Sequence, residues 1–458
     1  MSLTKATYSM ISGAPINVLD YGATGDGVTN DTTALQAAIT VATTNKRTLY
    51  VPAGTYLYSA LTIASGITIL GDGNSSILKK TTTNLDGITV TTTSPITVEN
   101  IAFTAVASQT DKALMLINPA TGENALSTFR NVTFSGFYIG LQFLRAATWS
   151  IIDCYFESAG VDAGSTGLWI QNNQNPDSGD STVIGNIFYY SNNVGTHIRQ
   201  ISSGGTKIIG NKFLYGACHY RMVLAASAAT YDLIFANNSS EFASDGNMIF
   251  DAGTGATWAN VQIQNNQYTI TAAKNGILVN TSGVAYWLDG LNISGNIFGS
   301  TGASTAISLN NSRRVSIDTN SYRMETGSTG INIGANTLII DIKPQSFNKN
   351  NLLYPIAGNI SAADVSICNS AGVNFSLASG ANIVIPLENS LANSVASVTI
   401  GGTVNTVGTV TGQYIAAGAS TVTTLQAIAN VVLNNSATSL QIVNNTGQTF
   451  SGKALVTY

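Results

Sequence analysis

The chain has 458 residues, enough to bury a large core, and 44 glycines against 8 prolines suit a protein built from many tight corners. Only 9% of its residues are charged and its net charge is −4, which argues against nucleic acid as the main partner. No run of 18 apolar residues predicts a membrane span, and the opening Met1-Ser2-Leu3-Thr4-Lys5-Ala6-Thr7 lacks the apolar centre of a signal peptide, so a soluble protein outside the usual export route is expected.

Residues 1–15 are polar and short of aliphatics, and read as an extended arm. In the segment that follows, Leu35, Ala38, Ile39 and Ala42 recur at helical spacing, predicting a short amphipathic helix from Thr32 to Thr43 with Asp31 as its N-cap. Such a helix plugs the open apolar end of a repeat array. Tyr50 to Tyr56 and Ile67 to Gly73 read as strands of a first coil, so that 16–95 forms a capped opening section.

From about 96 to 322, within a coil section read as 96–359, one phrase is repeated nine times: an aliphatic residue, two fillers, a pivot, one filler, then usually an aromatic. Its copies are Val98-Ile101-Phe103, Phe129-Val132-Phe134, Ile151-Cys154-Phe156, Val183-Asn186-Phe188, Ile208-Asn211-Phe213, Ile234-Asn237-Ser239, Ile263-Asn266-Tyr268, Ile293-Asn296-Phe298 and Ile317-Asn320-Tyr322. A period of 22 to 32 residues marks a solenoid, and the apolar runs within it are short and rich in Val, Ile, Thr, Phe and Tyr, so the repeat is built of strands. The fold class predicted is all-β, a right-handed parallel β-helix whose strands pair one rung above and below. Six successive asparagine pivots predict a ladder of amides at a sharp corner. Ser239, in place of an aromatic, marks an irregular rung. Cys154, Cys218 and Cys368 are scattered and odd in number, and read as buried thiols rather than a disulfide frame or a metal site; no cofactor is expected.

Beyond Ile360 the only charged residues are Asp364, Glu388 and Lys453, amid alternating Val, Ile, Thr, Ala and Asn. Residues 360–458 therefore read as an antiparallel β-sandwich. So uncharged a β domain invites edge pairing unless it is buried between subunits, which points to a trimerisation domain with sugar binding as a second role.

The stretch Asn17 to Asp31, with Val51-Pro52-Ala53-Gly54-Thr55-Tyr56 and Leu70-Gly71-Asp72-Gly73, resembles the opening of the pectate-lyase-like superfamily. With Lys5 to Pro15 before it, the segment is similar to that of bacteriophage tailspikes. The resemblance spans residues 5 to 75; after that only the repeat is shared. It implies a homotrimer of the virion tail, joined to a tail, baseplate or adaptor protein, that recognises and often cleaves a bacterial surface polysaccharide. It does not fix the active site, because one scaffold carries several chemistries.

A second strand follows the phrase in each rung, often after glycine. Alternation from its start puts Leu141, Leu168, Ile198 and Met222 inside and stacks Gln142, Trp169, His197 and Arg221 outside, with Gln171, Arg199 and, allowing a one-residue shift, Asp251 two positions further on. Aromatic platforms beside planar polar groups suit a saccharide groove. Trp169 is the leading platform, with Trp149, Trp258 and Trp287 as alternatives. Hydrolysis needs two carboxylates, one acid and one base or nucleophile, and Glu157 paired with Asp177 or Asp180 is the predicted set. The alternative enzyme reading is β-elimination from a uronic-acid polymer, with His197, Arg199 and Arg221 and a tyrosine such as Tyr189 or Tyr220. The Asn-Thr-Asp, Gly-His-Gly and Arg-Ile-Lys motifs of polygalacturonases do not occur, which disfavours a pectin hydrolase. A tail fibre that binds glycan without cutting it, or only builds a shaft, is the third reading.

Overall fold

The structure is a computed structural model. It describes the chain from residue 11 to 345 apart from 12, 107–110, 159–162, 172–179, 225–228, 253–255, 282–286, 335–336 and 344, with some further side chains left aside, and beyond 345 it describes the backbone of the strands. The chain divides into two units, Met1–Ser244 and Asp245–Tyr458.

In the first unit, strand after strand pairs in parallel with the equivalent strand of the next coil. Ile16–Asn17 pairs with Leu49–Val51, which pairs with Ile67–Gly71, then Ile96–Ala105, then Thr128–Ser135. A second stack runs Leu61–Ile63, Ile88–Val90, Ala113–Ile117, Ile139–Phe143, Thr166–Gln171, Thr196–Ile201 and Cys218–Leu224, parallel throughout. This is the predicted parallel β-helix.

The capping helix spans Thr32–Thr44 and buries Leu35, Ala38, Ile39 and Ala42, the face read from the sequence. Its Gln36 carboxamide donates to Thr62 O (3.0 Å) and accepts from Thr62 N (2.8 Å), so a helix side chain stands in for the missing neighbour of the edge strand Leu61–Ile63. The cap differs from expectation. The Asp31 carboxylate turns away to accept from Thr24 N and Gly25 N, and the Asn30 side chain takes the N–H and hydroxyl of Thr32 instead. Gly25 is needed there, since its φ is +66° and a Cβ would sit 2.7 Å from the Tyr56 ring.

Inside the coils the phrase resolves into columns. Its aromatics stack rung on rung, Phe103, Phe134, Phe156, Phe188 and Phe213, with ring centroids 4.6 to 5.5 Å apart. Its amides form the ladder. Asn186 Oδ1 accepts from Cys154 N (2.8 Å), Asn186 N and Nδ2 both donate to Asn211 Oδ1 (2.9 Å each), and Asn211 repeats the pattern with Asn238. Each amide nitrogen also donates backward to the carbonyl of the phrase's aliphatic residue, Asn211 to Val183 O and Asn238 to Ile208 O (2.9 Å each).

The ladder residue of the irregular rung is therefore Asn238, not Asn237. Ile208 pairs with Phe235 and Phe213 with Ser240, so this copy of the phrase reads Phe235-Asn238-Ser240, one residue later than its spelling suggests. Asn237 is the left-handed corner residue (φ +57°), the place held by Gly185 and Gly210 in the preceding rungs.

His197 is the main correction to the outward column. The strands Thr166–Gln171 and Thr196–Ile201 both open with three consecutive buried residues before alternation begins, because the chain is still turning its corner there. His197 falls in that stretch and is fully buried, stacked 4.9 Å from His219 with the rings 1° from parallel, and edge-on to Tyr190 at 4.5 Å. Neither of its ring nitrogens has a hydrogen-bond partner among the described residues. His219 is held by Ser240 Oγ at Nδ1 (2.6 Å) and Tyr215 O at Nε2 (2.7 Å). Burial, and for His197 also the neighbouring His219, drives both imidazoles well below their usual range, His219 to about 3. Cys154 and Cys218 are buried thiols as expected, burial raising Cys154 to about 12, whereas Cys368 lies outside the described residues.

The second unit repeats the same architecture. Thr257–Gln264, Trp287–Ser294, Ser312–Asp318, Leu338–Ile342 and Val365–Ile367 pair in parallel, and so do Gly246–Ala252, Asn275–Thr281, Thr305–Leu309, Ser328–Ile333 and Leu352–Gly358. Its amide ladder runs Asn266, Asn296, Asn320 and ends on Gln345 Oε1, which accepts from Asn320 N and Nδ2 (3.1 Å each). The antiparallel strands predicted near the C-terminus are present. Val373–Leu377, Phe450–Thr457, Val395–Val404, Thr409–Ala417 and Thr421–Gln426 make one sheet, and Asn382–Pro386, Ser439–Asn444 and Val431–Ser436 a second antiparallel group. Among the described residues no helix is long and apolar enough to cross a membrane.

Two predictions follow the interior columns. Asn211→Ala strips the buried Asn186 N–H and Val183 carbonyl of their partners, and is expected to cost about 3 kcal/mol in urea denaturation. The histidine pair makes stability pH-dependent with a definite sign. Both folded-state pKa values lie below the unfolded value, so the unfolded chain binds the extra protons and stability falls as pH drops below about 6.5. His197→Phe removes one such group, and denaturation curves between pH 7 and pH 4.5 should show the variant losing about 1.4 kcal/mol less per pH unit than the parent below pH 6.

Candidate functional site

Once the corner is passed, the second-stack strands from Ile139–Phe143 to Cys218–Leu224 alternate and set one outward column. Register pairs Leu116 with Gln142, Gln142 with Trp169, Trp169 with Arg199 and Arg199 with Arg221. Neighbours in this column are one strand spacing apart, about 4.8 Å. Arg199 thus takes the place beside Trp169 that sequence alternation gave to His197. Gln142, Trp169, Arg199 and Arg221 are each partly exposed.

Trp169 is not a bare platform. It packs against the cluster of Ala113, Leu116, Tyr138 and Ile139, the Arg199 guanidinium carbon lies 4.6 Å from its ring centroid, and its Nε1 donates to Gln171 Oε1 (3.2 Å). The indole therefore holds the guanidinium in place by cation–π attraction and dispersion. What faces outward is a composite of aromatic edge, guanidinium and carboxamide, suited to planar recognition of oxygen-rich groups.

The other candidates fall elsewhere. Asp251 belongs to the second unit, in register with Asn280. Trp149 and Trp258 are core residues, Trp149 stacked on Phe143 at 4.3 Å and Trp258 against Phe250, while the Trp287 side chain lies outside the described residues. Tyr220 is buried and its phenol is pushed well above its usual range by burial, which removes it, like His197, as a solvent-reaching base.

Glu157 is exposed on the strand Tyr155–Ser158 of the other stack, between Ser135 and Tyr189 in register. The Trp169 column and Glu157 accordingly stand on different sheets. Tyr155 beside Glu157 is raised above its usual phenol range, by burial first and then by the charges of Glu157 and Tyr189. Asp180 is exposed and precedes the strand Ser181–Ile184, whose Thr182 pairs with Ser150. Register thus sets Asp180 at the level of residue 148, nine positions along the coil from Glu157. At about 3.3 Å per residue, even with a bend, that exceeds the roughly 10 Å an inverting pair spans. Glu157 and Asp180 are not brought together, and Asp177 lies outside the described residues.

A feature that sequence reasoning missed is the pair Tyr215 and Phe242, exposed by 40% and 36% and stacked at 5.7 Å. Alternation alone sends Tyr215 inward, and only the left-handed backbone at both residues (φ +60° and +64°) reveals them.

Residues 15–118 match the model of the family described as rhamnogalacturonase A/epimerase, pectate lyase-like. A 66-residue stretch, 12% of this chain, is 47% identical to mannuronan C5-epimerase AlgE5 of Azotobacter vinelandii, of which it spans 7%. Among solved structures, the A-module of mannuronan C-5 epimerase AlgE4 from the same organism superposes with a TM-score of 0.50 at 18% identity, covering 74% of this chain and 96% of that one. The tailspike protein of the Acinetobacter phage vB_ApiP_P1 gives a TM-score of 0.40 at 12% identity, covering 97% and 87%. The likeness to that family thus lies in the opening segment, residues 15–118, and the chain as a whole has the parallel β-helix fold.

Proposed function

We propose that this chain is a phage tailspike that recognises a bacterial surface polysaccharide, capsule or O-antigen, and depolymerises it by hydrolysis of glycosidic bonds. The observation that carries the reading is the outward register column Gln142, Trp169, Arg199 and Arg221, which concentrates a tryptophan and two guanidinium groups on successive rungs of a chain with 9% charged residues. A groove of this kind binds sugar hydroxyls and carboxylates through planar donors and packs ring faces on its apolar parts. The pectate-lyase-like opening adds weight to a polysaccharide ligand. The arm 1–15 joins the spike to a tail, baseplate or adaptor protein, and 360–458 holds three copies together.

In the hydrolytic reading Glu157 supplies one carboxylate and Asp177 the second, as acid and base or nucleophile. β-Elimination is the alternative, favoured by the paired guanidinium groups of Arg199 and Arg221, which suit a uronate carboxylate. It has lost two of its candidate bases to burial, His197 and Tyr220. A glycan-binding fibre without catalysis is the non-enzymatic alternative.

The test is incubation with a panel of purified capsular and O-antigen polysaccharides, followed by product mass analysis. New reducing ends without an unsaturated uronate chromophore identify a hydrolase; the chromophore identifies a lyase, and binding without either a non-catalytic fibre. Trp169→Ala is expected to weaken polysaccharide binding by about 2 kcal/mol, roughly thirtyfold in Kd, measured by calorimetry. Glu157→Gln is expected to lower kcat by about 100-fold or more with the fold intact, and retention of full activity removes Glu157 from the mechanism.

A further inference from the structure

Tyr215 and Phe242 owe their exposure to the backbone. In the strand Lys212–Tyr215, Phe213 points inward and Leu214 outward, so residue 215 belongs inside, as does its register partner Tyr190, which is fully buried. Left-handed geometry at Tyr215 turns the ring out instead. Phe242, one position beyond the Leu214 and Glu241 pair, repeats the reversal on the next rung. Most non-glycine residues that take this geometry well are Asn or Asp, and a bulky side chain adopts it rarely. Among the described residues Tyr215 and Phe242 are the only aromatics that adopt it.

A buried clasp holds both reversals. His219 Nε2 donates to Tyr215 O, and Nδ1 accepts from the hydroxyl of Ser240, two residues before Phe242. The clasp exists because Ser240 replaces an aromatic in the interior column, leaving its hydroxyl to meet the imidazole. Since the imidazole is neutral far below physiological pH, one tautomer, protonated on Nε2, serves both bonds.

Around the ledge the outward groups are aromatic rings, two carboxylates and, two positions before Leu214 on the same face, the exposed ammonium of Lys212. Tyr189 meets Tyr215 edge-on at 5.9 Å, and Glu157, Tyr189, Leu214 and Glu241 follow one another in register alongside it. Aromatic rings bordered by two carboxylates against one ammonium match a ligand with C–H faces and hydroxyl donors better than an anionic one.

We infer that the Tyr215 and Phe242 ledge is a second saccharide-binding subsite, running from Glu157 along the outer face and taking uncharged, hydroxyl-rich sugar units, with His219 as its positioning residue. The inference rests on the reading that the ligand is a polysaccharide. It adds a binding surface on a different sheet from the Trp169 column.

Affinity electrophoresis of the full chain through gels cast with each polysaccharide of the capsule and O-antigen panel tests it, with sedimentation run in parallel. Tyr215→Ala and Phe242→Ala should each weaken retention about tenfold without changing the sedimentation coefficient. His219→Ala should weaken it likewise, and His219→Gln, whose amide N–H can still reach Tyr215 O, should restore part of it. Retention of both ledge variants equal to the parent, while Trp169→Ala is weakened, overturns the ledge and leaves the polysaccharide reading standing. A change in sedimentation without a change in retention identifies a contact between copies of the chain and also overturns it. If no polymer retains the parent protein, both readings fall.

Discussion

The coil of this protein depends on how the backbone is satisfied at one corner. Just before each pivot the chain steps through a left-handed residue, Asp153, Gly185, Gly210 and Asn237 in the first unit and Asn265, Gly295 and Thr319 in the second. That step re-aims the next N–H away from a normal ladder partner. The side-chain oxygen of the following rung's asparagine receives it, while its nitrogen ties down a carbonyl of the rung behind. An unpaired N–H buried there would cost about 1 to 3 kcal/mol, which the amide column avoids from the Cys154 rung onward. The rungs with Ile101 and Val132 as pivots make the same left-handed step, at Asn100 and Asn131, without an amide at the pivot. Stacked aromatics then fill the space behind it, and the strand pairing on both sheets inherits its register from that corner.

This explains which parts of the molecule were legible in the sequence. The asparagine period and the aromatic partner are written at fixed separations, and the columns they predicted are the columns found, except where the rung containing Ser240 is displaced by one residue. Displacement arose because Ile234 and Asn237 match the phrase as spelled, while the physical pattern is carried by Phe235 and Asn238. A local pattern of two letters does not distinguish these two frames; the hydrogen bond from Asn211 does. The capping helix was legible for the same reason as the ladder, since its apolar spacing is strict.

The outward column was legible only in part. Alternation counted from the start of each second strand assumes that the strand is straight from its first residue, whereas the first three positions are still inside the bend and are all buried. His197 was lost to the interior on that account and Arg199 gained its place. The pairing of carboxylates failed on geometry of another kind: Asp180 and Glu157 are close in rung number, but they sit at opposite ends of the two-strand run that makes one side of the coil. Rung spacing fixes distance along the axis and says nothing about position around it.

In a solenoid, stability and recognition normally belong to separate residues, inward columns for the first and outward columns for the second. The rungs around His219 break that separation. One interior aromatic has been exchanged for serine, the vacancy is met by a neutral imidazole, and the imidazole fixes two turns whose side chains leave the core for the surface. The interior carries the cost of this arrangement in two buried histidines, one with both ring nitrogens unsatisfied among the described residues. A core residue chosen for packing alone would be an aromatic, as it is at Phe188 and Phe213 on the rungs before. The polar substitution inside and the exposed rings outside are therefore two ends of one structural device, joined through the His219 imidazole.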